Sequence, residues 1–219
     1  MSLPPNSDVT ATRLQAPPFA AASIKAVICF LGLNVLALGL AICVSTPWGT
    51  QPWDVFHLGI TLHTGLTLGR VSQIMGGLVV LITLLLRGKG ITIVTLANIL
   101  YIGFLLDKLL PFIPHVRGLT GLFYLELGVI ITSIGTAMYL APNWGAGPRD
   151  SLMLVLSQRL RAPIGAMRVA IDISVVVMGW LLGGPVGIGT LLAAVTTGPW
   201  TQYFLRLITN MQQRLLGKQ

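Results

Sequence analysis

Apolar residues come in long runs separated by short polar segments, and strand-type alternation is nowhere sustained. The runs cover residues 26–45, 71–86, 91–106, 119–140, 164–182 and 187 to about 205. The first carries no charge, the second stops at Arg87-Gly88-Lys89, and the third ends at Asp107-Lys108. A Gly183-Gly184-Pro185 turn follows the fifth, and Gly198-Pro199 interrupts the sixth. A helix that crosses hydrocarbon needs roughly twenty predominantly apolar residues. The pattern therefore predicts six membrane-spanning helices and excludes a barrel. Two mixed segments, 55–69 and 151–162, are too short and too polar for a full span. One carries His57 and His63, the other Gln158, Arg159 and Arg161, and both are predicted as re-entrant or interfacial half-helices. The fold class expected is an all-α polytopic membrane bundle of about six transmembrane helices plus two half-helices.

The two halves of the chain resemble each other. A shift of 96 residues superimposes Gly32 on Gly128, Gly39 on Gly135, Trp48 on Trp144, Pro52 on Pro148 and Asp54 on Asp150. Fourteen of the 57 positions from 32 to 88 are identical to their partners without a gap. Leucine-rich sequence would give roughly a tenth by chance, so the apolar matches count for little. The shared W-G-x-x-P-x-D pattern is what hydrophobicity cannot produce. Three spans per half is an odd number, which predicts halves of opposite orientation, as in many secondary transporters. The organisation expected is a disordered cytoplasmic tail (1–22), a first repeat (23–110), a connecting loop (111–118), a second repeat (119–209) and a basic cytoplasmic tail (210–219).

Composition sharpens this picture. Apolar residues make up 54% of the chain and charged ones 9%, against about a quarter charged in soluble domains. Too few polar groups exist to make a water-facing surface. The net charge of +8 is spread between apolar runs and forms no basic patch, so no nucleic-acid partner is expected. With N- and C-termini inside and six spans, eleven Lys and Arg fall inside and three (Arg70, Lys108, Arg117) outside, the usual positive-inside bias. Eight crossings give the same ratio, so charge fixes the termini and segment length favours six. Cys29 and Cys43 lie fourteen residues apart on one predicted helix, roughly 21 Å by the helical rise and too far to bridge.

The duplicated motif carries the candidate chemistry. Pro52 and Pro148 suit the first position of a helix, and Asp54 and Asp150 suit the positive end of its dipole. As pure architecture this is a well-built helix start beneath a belt of Trp48, Trp53 and Trp144. As function, two pseudo-symmetric helix termini with Arg149 and their carboxylates would line a substrate path. Within the runs, Asn34, Asn98, Glu126 and Asp172 are polar residues at membrane depth, where an ionisable group needs a partner or an aqueous cavity. Arg168 and Asp172 are four apart and predict a structural ion pair. Glu126 has no partner on its own helix and is the leading single candidate for a proton or cation site. No catalytic motif or metal-ligand cluster is present, and neither an enzyme nor a cofactor is expected.

Gly145-Ala146-Gly147-Pro148-Arg149-Asp150, the stretch from Leu182 to Thr190, and Gln51-Pro52-Trp53-Asp54 resemble the YczE/YyaS/YitT group of bacterial membrane proteins over roughly residues 26–208. Gln51 stands where that pattern leads one to expect glycine, and Gly90-Ile91-Thr92-Ile93 lacks the second glycine found at Gly189. Any two-fold site would then be asymmetric. The resemblance implies a protein of the bacterial cytoplasmic membrane with a transport role, and attaches no substrate. Two functions are consistent with these readings: a small-molecule transporter or exporter with a site between the repeats, and a non-transporting partner that assembles with another membrane component. The bilayer, a small-molecule substrate and a second copy of the chain are the partners that this reading admits.

Overall fold

The computed structural model describes residues 18–86 and 91–215, and these form an all-α bundle. Eight helices follow in order: α1 (Pro18–Val44), α2 (Pro52–Thr64), α3 (Leu68–Leu85), α4 (Ile93–Leu109), α5 (Leu119–Leu140), α6 (Pro148–Leu160), α7 (Ile164–Leu181) and α8 (Ile188–Leu215). A single 3-10 turn, Leu110–Phe112, closes α4. Helix α1 opens at Pro18, so the expected tail (1–22) is helical from that residue on, and its remainder lies outside the described residues. Likewise α8 runs to Leu215 and converts most of the expected tail 210–219 into helix. The Arg87-Gly88-Lys89 stop lies outside the described residues.

Local chemistry sets the helix ends. α2 and α6 both open on proline, whose missing N–H and fixed φ suit the first helical position. Both close on a left-handed residue, Gly65 (φ 65°) and Arg161 (φ 51°). Thr67 caps α3, and Thr92 and Thr95 form a reciprocal box at the start of α4. Both α2 and α6 have 13 residues, roughly 20 Å of helix and too short for the ~30 Å hydrocarbon layer.

Five helices are long and apolar enough to cross a membrane: α1, α3, α4, α5 and α7. The sixth expected span, α8, has 28 residues, but threonines and Pro199 dilute its apolar stretch. The outer surface is apolar too. Leu85, Phe123, Leu181 and Leu191 are each more than two-thirds exposed, which only a hydrocarbon environment would make favourable over so wide an area. This is a multi-pass membrane protein.

Helices α1 and α5 form the central pair and run antiparallel, with Gly32 opposite Gly135 and Gly39 opposite Gly128. A Cβ on Gly32 would stand 2.7 Å from the Cβ of Met138, and one on Gly128 would stand 2.8 Å from the Sγ of Cys43. Only glycine lets the backbones approach this closely. Around this pair, α2 packs on α7 and α3 on α6, while α4 flanks α1 and α8 flanks α5. Exchanging α1–α4 for α5–α8 maps these four pairings onto one another, but α3 also packs on α4 while α7 and α8 make no comparable contact. One pair of inter-helix hydrogen bonds follows the same exchange. His63 Nε2 donates to Leu182 O at 3.1 Å, and Arg159 Nη2, 96 residues on from His63, donates to Leu86 O at 2.8 Å, 96 residues before Leu182.

Candidate functional site

A cavity of about 310 Å³ opens where α1, α5 and the first turns of α2 and α6 meet. The wall is built from corresponding positions of the two halves. Leu36 faces it with Thr132, Leu40 with Thr136, Gln51 with Gly147, Pro52 with Pro148, and Trp53 with Arg149. His57 does so with Met153, Ser72 with Arg168, Gly76 with Asp172, and Asn98 with Ala194. Every one of these pairs is separated by 96 residues, so the cavity sits where the two halves meet.

Charge is unevenly shared between the halves. All four charged lining residues, Arg149, Asp150, Arg168 and Asp172, belong to the second half. Their first-half counterparts are Trp53, Asp54, Ser72 and Gly76, and of these Asp54 is not among the lining residues. Both short helices start at the cavity without a side-chain cap, so their positive dipole ends converge there.

Each charge is held differently. The Arg149 guanidinium lies 4.8 Å above the centre of the Trp53 ring, a cation–π arrangement. No carboxylate lies within ion-pair distance of it among the described residues. Asp150 Oδ2 accepts the Tyr139 hydroxyl at 3.2 Å. Arg168 Nε and Asp172 Oδ2 are 3.8 Å apart, so the pair expected from their spacing forms, and it forms at the cavity wall. Within the wall, Gln51 Nε2 donates to Thr132 Oγ1 at 3.2 Å and ties the start of α2 to α5. His57 Nδ1 lies 3.6 Å from Asp54 Oδ1, with both side chains 2% exposed. Neither His57 Nδ1 nor Asp54 Oδ2 has a hydrogen-bond partner. Such buried, unpaired polar atoms cost free energy unless something else satisfies them.

The candidates read from the sequence therefore divide. Arg149, Asp150, Asn98, Arg168 and Asp172 reach the cavity. Asp54 is buried one layer behind it, against His57. Glu126 sits elsewhere, between α5 and α8, where it accepts the Trp200 indole N–H at 2.9 Å and the Thr196 hydroxyl at 3.2 Å. Trp48 is a strut: its indole donates to Gly118 O at 2.7 Å, and its own carbonyl accepts from Gly189 N at 2.9 Å. Trp144 lies half-exposed beside a separate recess with Thr92 and Ser151. Tyr139, Trp53 and His57 are among the lining residues that the sequence pattern did not assign to the site. For Tyr139 the available signal was a phenol inside an apolar run, eleven residues before Asp150. Among the described residues, no group of three His, Cys, Asp or Glu side chains could hold a metal ion.

Residues 23–206 match a family model described as "Family of unknown function (DUF6198)", and the chain belongs to that family. It is similar to "Uncharacterized membrane protein YczE" of Bacillus subtilis, 34% identical over 171 residues, covering 77% of this chain and 80% of that protein. An "Uncharacterized protein" of Haemophilus influenzae is 34% identical over 213 residues, covering 94% of this chain and 93% of its own length. "Uncharacterized protein YyaS" of Bacillus subtilis is 25% identical over 195 residues, covering 81% of this chain and 90% of its own. The YczE and YyaS resemblance read from the loop motifs is thereby established. No solved structure matches the chain significantly.

Proposed function

We propose that this DUF6198 member is a secondary transporter or exporter of a small polar solute, with its site in the cavity between two inverted repeats. The observation that carries the reading is the cavity itself: matched positions of both halves build it, and two helix N-termini open into it. The antiparallel α1–α5 pair supports inversion, because sibling halves with an even number of crossings would set those helices parallel. Six crossings follow, with α2 and α6 as half-helices that begin at the cavity and return to the side they came from. Broken or half-length helices whose positive ends face a central site recur in transporters.

The cavity lies within the size range of small-molecule sites. The charge bias of eleven to three supports cytoplasmic N- and C-termini. The Bacillus subtilis relative, named as a membrane protein, supports placement in a bacterial membrane, which we take to be the cytoplasmic one. On this reading the chain is a carrier and not an enzyme.

Proteoliposomes containing the purified protein test it. Wild type is expected to move at least one solute of a broad metabolite panel faster than empty vesicles, with flux lost in Arg149→Gln. Flux no greater than that of empty vesicles across the whole panel would end the transporter reading.

A further inference from the structure

The cavity's charges also define what it can hold. Two arginines and two aspartates line it, so its formal charge is zero. Arg168 and Asp172 pair with each other. That leaves Arg149 and Asp150, neighbours in the first turn of α6, and neither has an ion-pair partner among the described residues. Successive residues on a helix point about 100° apart, so the two groups present separate positive and negative poles to the same space. A charge at membrane depth without a counter-charge is costly, and a ligand that supplied both counter-charges would relieve both sites together. A simple anion would satisfy Arg149 and leave Asp150 worse off, and a simple cation would do the reverse.

We infer that the cavity takes a small zwitterion bearing a carboxylate and an ammonium group, of the amino-acid type, with the carboxylate on Arg149 and the ammonium on Asp150. This rests on the transporter reading of the same cavity and names its substrate class. Two further features fit. The unpaired N–H groups at the start of α6 lie beside Arg149 and favour the carboxylate. The Tyr139 hydroxyl donates to one oxygen of Asp150, so the carboxylate is held in place at the cavity. At about 310 Å³ the cavity lies at the small end of the range for small-molecule sites, which suits an amino acid with a short side chain.

The test is binding by the purified full-length chain in detergent, read as a melting shift and by titration calorimetry, so that it does not depend on flux. The probes are a panel of small amino acids, each beside its amide, which keeps only the ammonium, and its N-acetyl form, which keeps only the carboxylate. At least one amino acid is expected to bind at millimolar concentration or better, and both of its singly charged counterparts to bind at least about tenfold more weakly. Arg149→Gln should weaken the N-acetyl form further and leave the amide unchanged. Asp150→Asn should do the opposite. Equal binding of an amino acid and one of its blocked forms, or no binding by any amino acid, would overturn the inference. Binding without flux would instead end the transporter reading and leave the ligand class standing.

Discussion

The α1–α5 crossing makes the strongest energetic prediction. A Cβ on Gly135 would stand 2.8 Å from Gly32 O and closer still to the Leu36 backbone, and one on Gly128 would stand 3.0 Å from Cys43 N. At Gly135 all three nearest atoms are backbone, and at Gly128 the Cys43 backbone N stands behind the closer Cys43 Sγ and Ile42 Cγ2 at 2.8 Å. Side-chain rotation alone therefore cannot make room, and the helices must separate by several tenths of an ångström. Overpacking of this kind costs roughly 1–3 kcal/mol. Taking about 2 kcal/mol for Gly128→Ala or Gly135→Ala, and about 2–4 °C per kcal/mol for a chain of this length, gives a loss of about 4–8 °C in Tm. Gly77 in α3 provides the control, because a Cβ there meets nothing within 4 Å. Gly77→Ala should gain the helix propensity of alanine, about 1 kcal/mol, and melt slightly higher. Thermal unfolding in one detergent, followed by intrinsic fluorescence, measures all three. If Gly128→Ala and Gly135→Ala melt with wild type, the close antiparallel contact is wrong.

Other expectations follow from single contacts. Asp107 accepts the Thr67 hydroxyl at 2.6 Å and the Gly69 N–H at 2.7 Å; Asp107→Ala should leave both without their acceptor and destabilise by about 1–3 kcal/mol, measured as a Tm loss in the same assay. Glu126→Gln keeps one acceptor oxygen for Trp200 or Thr196 and lies away from the cavity lining, so flux should stay within about twofold of wild type, whereas Asp150→Asn should abolish it. Loss of flux in Glu126→Gln would return the coupling site to α5 and α8. Trp53→Leu removes the ring under Arg149 and should weaken ligand binding by about 0.5–2 kcal/mol, read by titration calorimetry.

Much of the bundle was legible because the bilayer sets helix length. The runs that became α3, α4, α5 and α7 were found within a few residues of their ends, and α2 and α6 were marked as short by their histidines, arginines and prolines. Interactions within one helix were legible too: Arg168 and Asp172 pair at the spacing that predicted them. Partners on other helices were not. Glu126 looked solitary because Trp200 lies 74 residues away, and the rotation of α8 about its axis leaves no trace in a run of apolar and threonine residues. The sequence placed Asp54 and Asp150 as equivalents. Burial then separated them, since Asp54 packs against His57 while Asp150 meets Tyr139 at the cavity. The extension of α8 past 209 escaped notice because its last turns are polar, and polar helix reads as tail when only hydropathy is followed.

Labelling from the two sides of the membrane tests the inverted architecture most directly. Thr64 and Leu160 end α2 and α6, are exposed, and occupy equivalent positions in the two halves. Cysteines placed there one at a time, in a chain whose own Cys29 and Cys43 are buried, should react with a membrane-impermeant thiol reagent from opposite sides. Thr64→Cys should label in intact cells and Leu160→Cys only after the membrane is opened. Labelling of both from the same side would contradict the account.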